Sequence, residues 1–167
     1  ILSFSKDMLT PFLIQNAGRE CTVMKAHEYM YTIRENFDEY AIQLHQDGSN
    51  IIFDFPNPYG GEVVSVCFDK EQFTLYFGRY HAHFCYDDEE FAELQNVLNG
   101  IFQCKYVVLY CMSGKHTLRC VMGEISDIPG DLSTLAEALS LRNQTDDLSN
   151  LMIEIQCWNP AENRIIK

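Results

Sequence analysis

The sequence predicts an α+β domain, a mostly antiparallel sheet of about six to eight strands with about three to four helices packed on it. Three observations carry the prediction. Strand-like alternation recurs, placing Phe73, Leu75 and Phe77 on one face of one segment and Tyr80, Ala82 and Phe84 on one face of the next. Turn signals separate such segments at short intervals, at Asp47-Gly48, Gly78-Arg79 and Ser113-Gly114. A single strongly amphipathic helix then interrupts the strands after Asp87.

The totals bound the rest. A chain of 167 residues suits one domain, 1–167, with residues 1–22 as a loosely attached N-terminal segment. A hydrophobic content of 47%, with eleven Phe and nine Tyr, supplies a core and argues against disorder. No apolar run approaches the roughly 18–20 residues that cross a bilayer, and no basic stretch leads into an apolar core as in a signal peptide. The seven cysteines are an odd, scattered set without a C-x-x-C pair, which argues for free thiols, a reducing cytoplasm and no zinc knuckle. The Asn143-Gln144-Thr145 sequon is discounted on the same ground.

In chain order, Ser5 to Ile14 has helical spacing interrupted by Pro11 and ended by Gly18. Val23, His27, Met30, Tyr31, Ile33 and Phe37 predict a helix from Thr22 to about Phe37. Tyr40, Ile42 and Leu44 alternate like a strand, Asp47-Gly48 turns the chain, and Asn50 to Phe55 returns until Pro56. Strands follow at Glu62–Phe68, Phe73–Phe77 and Tyr80–Cys85. Asp87 is a natural N-cap, with Glu90 three residues on completing a capping box. Phe91, Leu94, Val97, Leu98, Ile101 and Phe102 then form one apolar stripe, each large side chain stabilising by about 2 kcal/mol gross on burial. Tyr106–Cys111 and His116–Met122 make a hairpin, with Leu118, Cys120 and Met122 predicted inward. Asp131 starts a short helix along Leu132, Leu135 and Leu139. Residues 142–150 form a polar connection, and Leu151, Ile153, Ile155 and Cys157 alternate as a last strand.

Chemistry-bearing residues are few. His81 and His83 project from one strand face about 7 Å apart, near enough to converge on a metal. The alternative to a binding function is therefore a metal-dependent enzyme or metal-binding domain centred on this pair. An H-x-H alone is a weak signal, and hydrogen bonding on a strand face explains it as well. A Cys–His nucleophilic pair, Cys85 or Cys120 with His81 or His116, needs a proximity that spacing does not establish. Tyr59-Gly60-Gly61 lacks the lysine and strand-to-helix setting of a phosphate loop.

Charge is the stronger signal. With 24 acids against 12 bases the net charge is −12, which disfavours nucleic acid and anionic membrane and favours a basic protein partner. Asp87, Asp88, Glu89, Glu90 and Glu93 crowd the helix start, where the helix dipole also favours carboxylates. Glu35, Asp38, Glu39, Asp47 and Asp54 form a second base-free stretch. Tyr29, Tyr31, Tyr40 and Tyr86 lie among these acids as candidate interface anchors. The predicted partner-binding set is Asp38, Glu39, Tyr86, Asp87, Asp88, Glu89, Glu90 and Glu93, with no catalytic residue, no metal and no cofactor.

The segment Phe73-Thr74-Leu75-Tyr76-Phe77-Gly78-Arg79-Tyr80-His81-Ala82-His83-Phe84, followed by an acidic helix start, resembles small bacterial immunity-type proteins. Those are cytoplasmic single domains that bind and neutralise a toxin. The resemblance covers a short part of the chain and transfers no residue role. It implies a non-enzymatic inhibitor of a toxin domain, often a basic nuclease.

Overall fold

A computed structural model of the protein describes residues 17–141 and 150–167. The helix expected over 5–14, and most of the polar connection with its Asn143 sequon, lie outside the described residues. Helix α1 (Ala17–Asn36) leads through a single 3-10 turn at Asp38–Tyr40 into β1 (Gln43–Asp47) and β2 (Asn50–Phe55). The chain continues through β3 (Val64–Phe68), β4 (Gln72–Phe77), β5 (Tyr80–Cys85) and α2 (Asp88–Phe102). It ends with β6 (Tyr106–Ser113), β7 (His116–Glu124), α3 (Leu132–Ala138), β8 (Leu151–Gln156) and β9 (Arg164–Ile166).

The class is α+β, but the strands divide between two antiparallel sheets rather than one. The first is a five-stranded meander, β1-β2-β3-β4-β5, and the second has the order β7-β6-β8-β9. Tight hairpins join neighbours in the meander, pairing Asp47 with Asn50, Phe68 with Phe73 and Phe77 with Tyr80. Because side chains alternate along a strand, Phe53, Phe55, Val64, Val66, Phe73, Leu75, Phe77 and Phe84 share one buried face.

Two helices cover that face. In α2 the predicted stripe is buried at Phe91, Leu94, Leu98, Ile101 and Phe102. Its N-cap forms as the sequence requires: the Asp87 carboxylate accepts from the Glu90 amide at 2.9 Å. The Glu90 carboxylate reaches back to the Cys85 amide, two residues before the cap. Helix α1 lies beside α2 in the same direction: Tyr29 stacks on Phe91 at 4.1 Å, Asn36 bonds Gln95 at 2.7 Å and Phe37 meets Phe102 edge-on at 5.8 Å. Two expectations about α1 are corrected. Gly18 lies inside the helix instead of ending one, since a lone glycine costs about 1 kcal/mol, too little to stop propagation. Tyr29 is the core tyrosine, while Tyr31 is 47% exposed, because burial follows Tyr29, Met30, Ile33 and Phe37 at helical steps.

The second sheet is covered on both faces at its centre. From β6, Val108 and Tyr110 enter the core shared with α1, α2 and the first sheet, whereas Val107, Leu109 and Cys111 join a second core under α3. In β7 the alternation is reset by a bulge. Cys111 pairs with Arg119 and Met112 with Thr117, leaving Leu118 as the extra residue. Leu118 therefore packs in the α3 core while Cys120 and Met122 pack in the other, a correction to the single inward face expected. Strand β9 was not expected, and Cys157 falls one residue past the end of β8. Trp158, the next residue, is fully buried against Phe102 and Phe77. No described helix is long and apolar enough to cross a membrane.

Candidate functional site

The five carboxylates at the start of α2 have unequal tasks. Asp87 and Glu90 are engaged in the cap described above. Asp88 accepts a hydrogen bond from the Tyr29 hydroxyl at 2.6 Å and lies 3.6 Å from the Lys25 ammonium. The Tyr29 hydroxyl first, and Lys25 second, hold the Asp88 carboxyl below its ordinary value of 3.8. Burial raises the Tyr29 hydroxyl well above its ordinary range, and the Asp88 bond and charge raise it further. Glu89 and Glu93 are exposed, one helical turn apart, and make no ion pair with any described residue.

Asp38 and Glu39 are exposed as well, but at the opposite end of the helix pair. Tyr40, beside them, stacks on Phe102 at 4.1 Å, whereas Tyr29 meets Asp88. The length of α2, about 22 Å at 1.5 Å per residue, thus separates the two groups. The remaining acids of the second stretch are dispersed. Asp54 lies on the outer face of the first sheet, where it accepts from the Ser65 hydroxyl and sits 3.4 Å from His45 Nδ1. Of the candidate tyrosines, Tyr86 is half-buried against Phe73, with its hydroxyl donating to the Asp69 carbonyl at 2.6 Å. Its outward role is to fix the loop that presents Asp87.

His81 and His83 do share the outer face of β5, their rings 5.2 Å apart and nearly perpendicular. His83 Nδ1 lies 3.0 Å from both the Gln72 amide and the Thr74 hydroxyl. Among the described residues, one group of three donors converges closely enough to hold a metal ion, and it is Cys85, Asp87 and Glu90 rather than the histidines. Two of those three already serve the helix cap. The thiols are poor nucleophiles: the Glu90 carboxylate first, and desolvation second, push Cys85 up, and burial pushes Cys120 up.

A feature that spacing did not point to is a polar cleft of roughly 600 Å³ between the two sheets. The β4–β5 turn, the β2–β3 loop and β8 form its walls, and Tyr110 of β6 lies at its base. The Tyr110 hydroxyl accepts from the Arg79 amide at 2.9 Å and donates to Gln156 Oε1 at 2.7 Å. The Arg79 guanidinium carbon lies 5.6 Å from the centroid of the same ring. This fit requires glycine at 78, where φ is +59° and a Cβ would collide with the Tyr110 hydroxyl and the Gln156 amide. Asn57 clamps the β2–β3 loop. Its amide donates to the Trp158 carbonyl at 2.7 Å and the Glu62 carbonyl at 3.2 Å, while its oxygen accepts from the Tyr59 amide at 2.9 Å. Glu62 and Glu154 bring carboxylates to the cleft.

No family model, curated protein or solved structure is significantly similar to this chain. The site must therefore be judged on its own chemistry.

Proposed function

We propose that the protein is an acidic, non-enzymatic binding module that engages a basic protein, in the manner of a cytoplasmic immunity protein neutralising a toxin domain. The observation that supports this reading most directly is the exposed pair Glu89 and Glu93 beside the 85%-exposed Asp88, in a chain of net charge −12. The capped helix fixes the backbone beneath these carboxylates, so only side-chain freedom is lost when lysine or arginine side chains meet them. Such a field raises the association rate with a basic surface more than it lengthens the life of the complex. Asp38 and Glu39 extend the acidic surface to the far end of the helix pair, where they meet a large partner or add only to the long-range field.

Calorimetric and kinetic titration against the basic product of the adjacent gene, at low and high salt, tests the proposal. One-to-one binding is expected, with an on-rate that falls as salt rises. The double variant Glu89→Gln/Glu93→Gln is expected to associate more slowly while keeping the wild-type dissociation rate. Absence of binding heat at both salt concentrations would remove the proposal.

A further inference from the structure

We infer that the cleft beside Tyr110 is a recognition pocket for a cationic side chain, lysine or arginine, carried on an extended segment of the basic partner. This rests on the reading of the protein as an acidic binding module and adds a second place where that partner is read.

Charge is the first argument. Glu62 reaches the cleft from the β2–β3 loop and Glu154 from β8, and the base among its lining residues is Arg79. The guanidinium of Arg79 lies over the Tyr110 ring and forms no ion pair with either glutamate. The lining is thus net anionic, and its cation is already turned to an aromatic face. An incoming anion would be repelled by two carboxylates that make no ion pair, whereas an incoming cation is attracted by them.

The loop is the second argument. Tyr59, 60% exposed, and Val63, 43% exposed, lie on the loop that carries Glu62 to the cleft, outside the cleft's own lining. Long cationic side chains lay an apolar stem along such surfaces while the charged head reaches polar groups. Tyrosine is a common energetic anchor of protein interfaces. Preorganisation is the third argument. The four Asn57 hydrogen bonds, including the Gly60 amide to the Asn57 carbonyl at 3.1 Å, fix the loop before any partner arrives. Little conformational freedom remains to be lost on binding.

A heteronuclear NMR titration of the whole chain tests this with two probes, the blocked peptide acetyl-Gly-Arg-Gly-amide and its citrulline counterpart, which lacks the charge. The arginine peptide should shift the amides of Gly61, Gly78, Arg79 and Gln156 with saturation in the millimolar range, and the citrulline peptide should not. Glu154→Gln and Glu62→Gln should each weaken the response by about two- to fivefold, the size of one solvent-accessible charge pair, while Glu137→Gln, exposed on α3, leaves it unchanged. Equal responses to both peptides, or no response at these amides, would overturn the inference. Shifts confined to residues 87–93 would overturn the pocket yet leave the acidic module standing, which the calorimetric titration judges separately.

Discussion

The two halves of the molecule are built on different plans. The five-stranded sheet buries one face, under α1 and α2, and fills that core with aromatic rings: Phe73 alone meets Tyr29, Phe68, Phe84, Tyr86 and Phe91. The core under α3 has no aromatic residue among its buried described members and relies on Leu109, Leu135, Leu141, Ile153 and Ile155. The sheet above it is buried on both faces at β6. Rings concentrate much area in few side chains, so the first core depends heavily on individual residues. The aliphatic core spreads its stabilisation over many small contributions.

The largest expected effect tests that dependence. Phe73→Ala should destabilise the protein by about 3–5 kcal/mol, read as a lower urea midpoint with an unchanged slope. A loss under 1 kcal/mol would show that the ring cluster relaxes as readily as aliphatic packing does.

The seam between the halves comes next. Gly78→Ala adds a methyl group where φ is positive and where the Tyr110 hydroxyl and Gln156 amide stand in the way. The expected cost is about 2–4 kcal/mol, combining backbone strain with overpacking. The Tyr110 side-chain resonances should move with it, and a silent Tyr110 would mean that the two sheets are not coupled there.

The smallest effect is a matter of pH. Among the described residues each half holds one carboxyl below its ordinary value: Asp88 mainly through the Tyr29 hydroxyl, and Asp131 mainly through the Thr134 backbone amide that it caps. A carboxyl lowered on folding contributes stability above its unfolded value, lost as pH falls through the lower folded value. Tyr29→Phe should therefore raise the Asp88 value toward 3.8 and leave Asp131 in place. The gap in urea midpoint between variant and wild type should narrow as pH drops below 3.8. Carboxyl NMR titration of both residues decides it, and a shift at Asp131 would break the assignment.

The same contrast explains what could be read from the residues beforehand. A sheet with one wet face writes its burial as strict alternation, so β2 to β5 and the capped helix α2 were legible within a few residues. Val107 to Cys111, wanted by two cores, shows no alternation to read. The extra residue at Leu118 leaves no mark in composition, and it sent the predicted inward face of β7 to the wrong core. The acids of the α2 start were visible, but not their division of labour, because the Tyr29 hydroxyl arrives from 59 residues away. The cleft was least legible of all. Arg79, Tyr110 and Gln156 meet across separations of 31 and 46 residues, and Gly78-Arg79 looked like nothing more than a turn.

The double service of β6 has a practical side. From Val107 to Cys111 every residue is sealed from solvent, so no replacement there is cosmetic. At the other extreme, nothing lies within 4 Å of the space a side chain at Gly48 would occupy, at the tip of the β1–β2 hairpin. A dye, spin label or surface tether belongs near that tip, at Ser49, remote from the strand on which both interiors close.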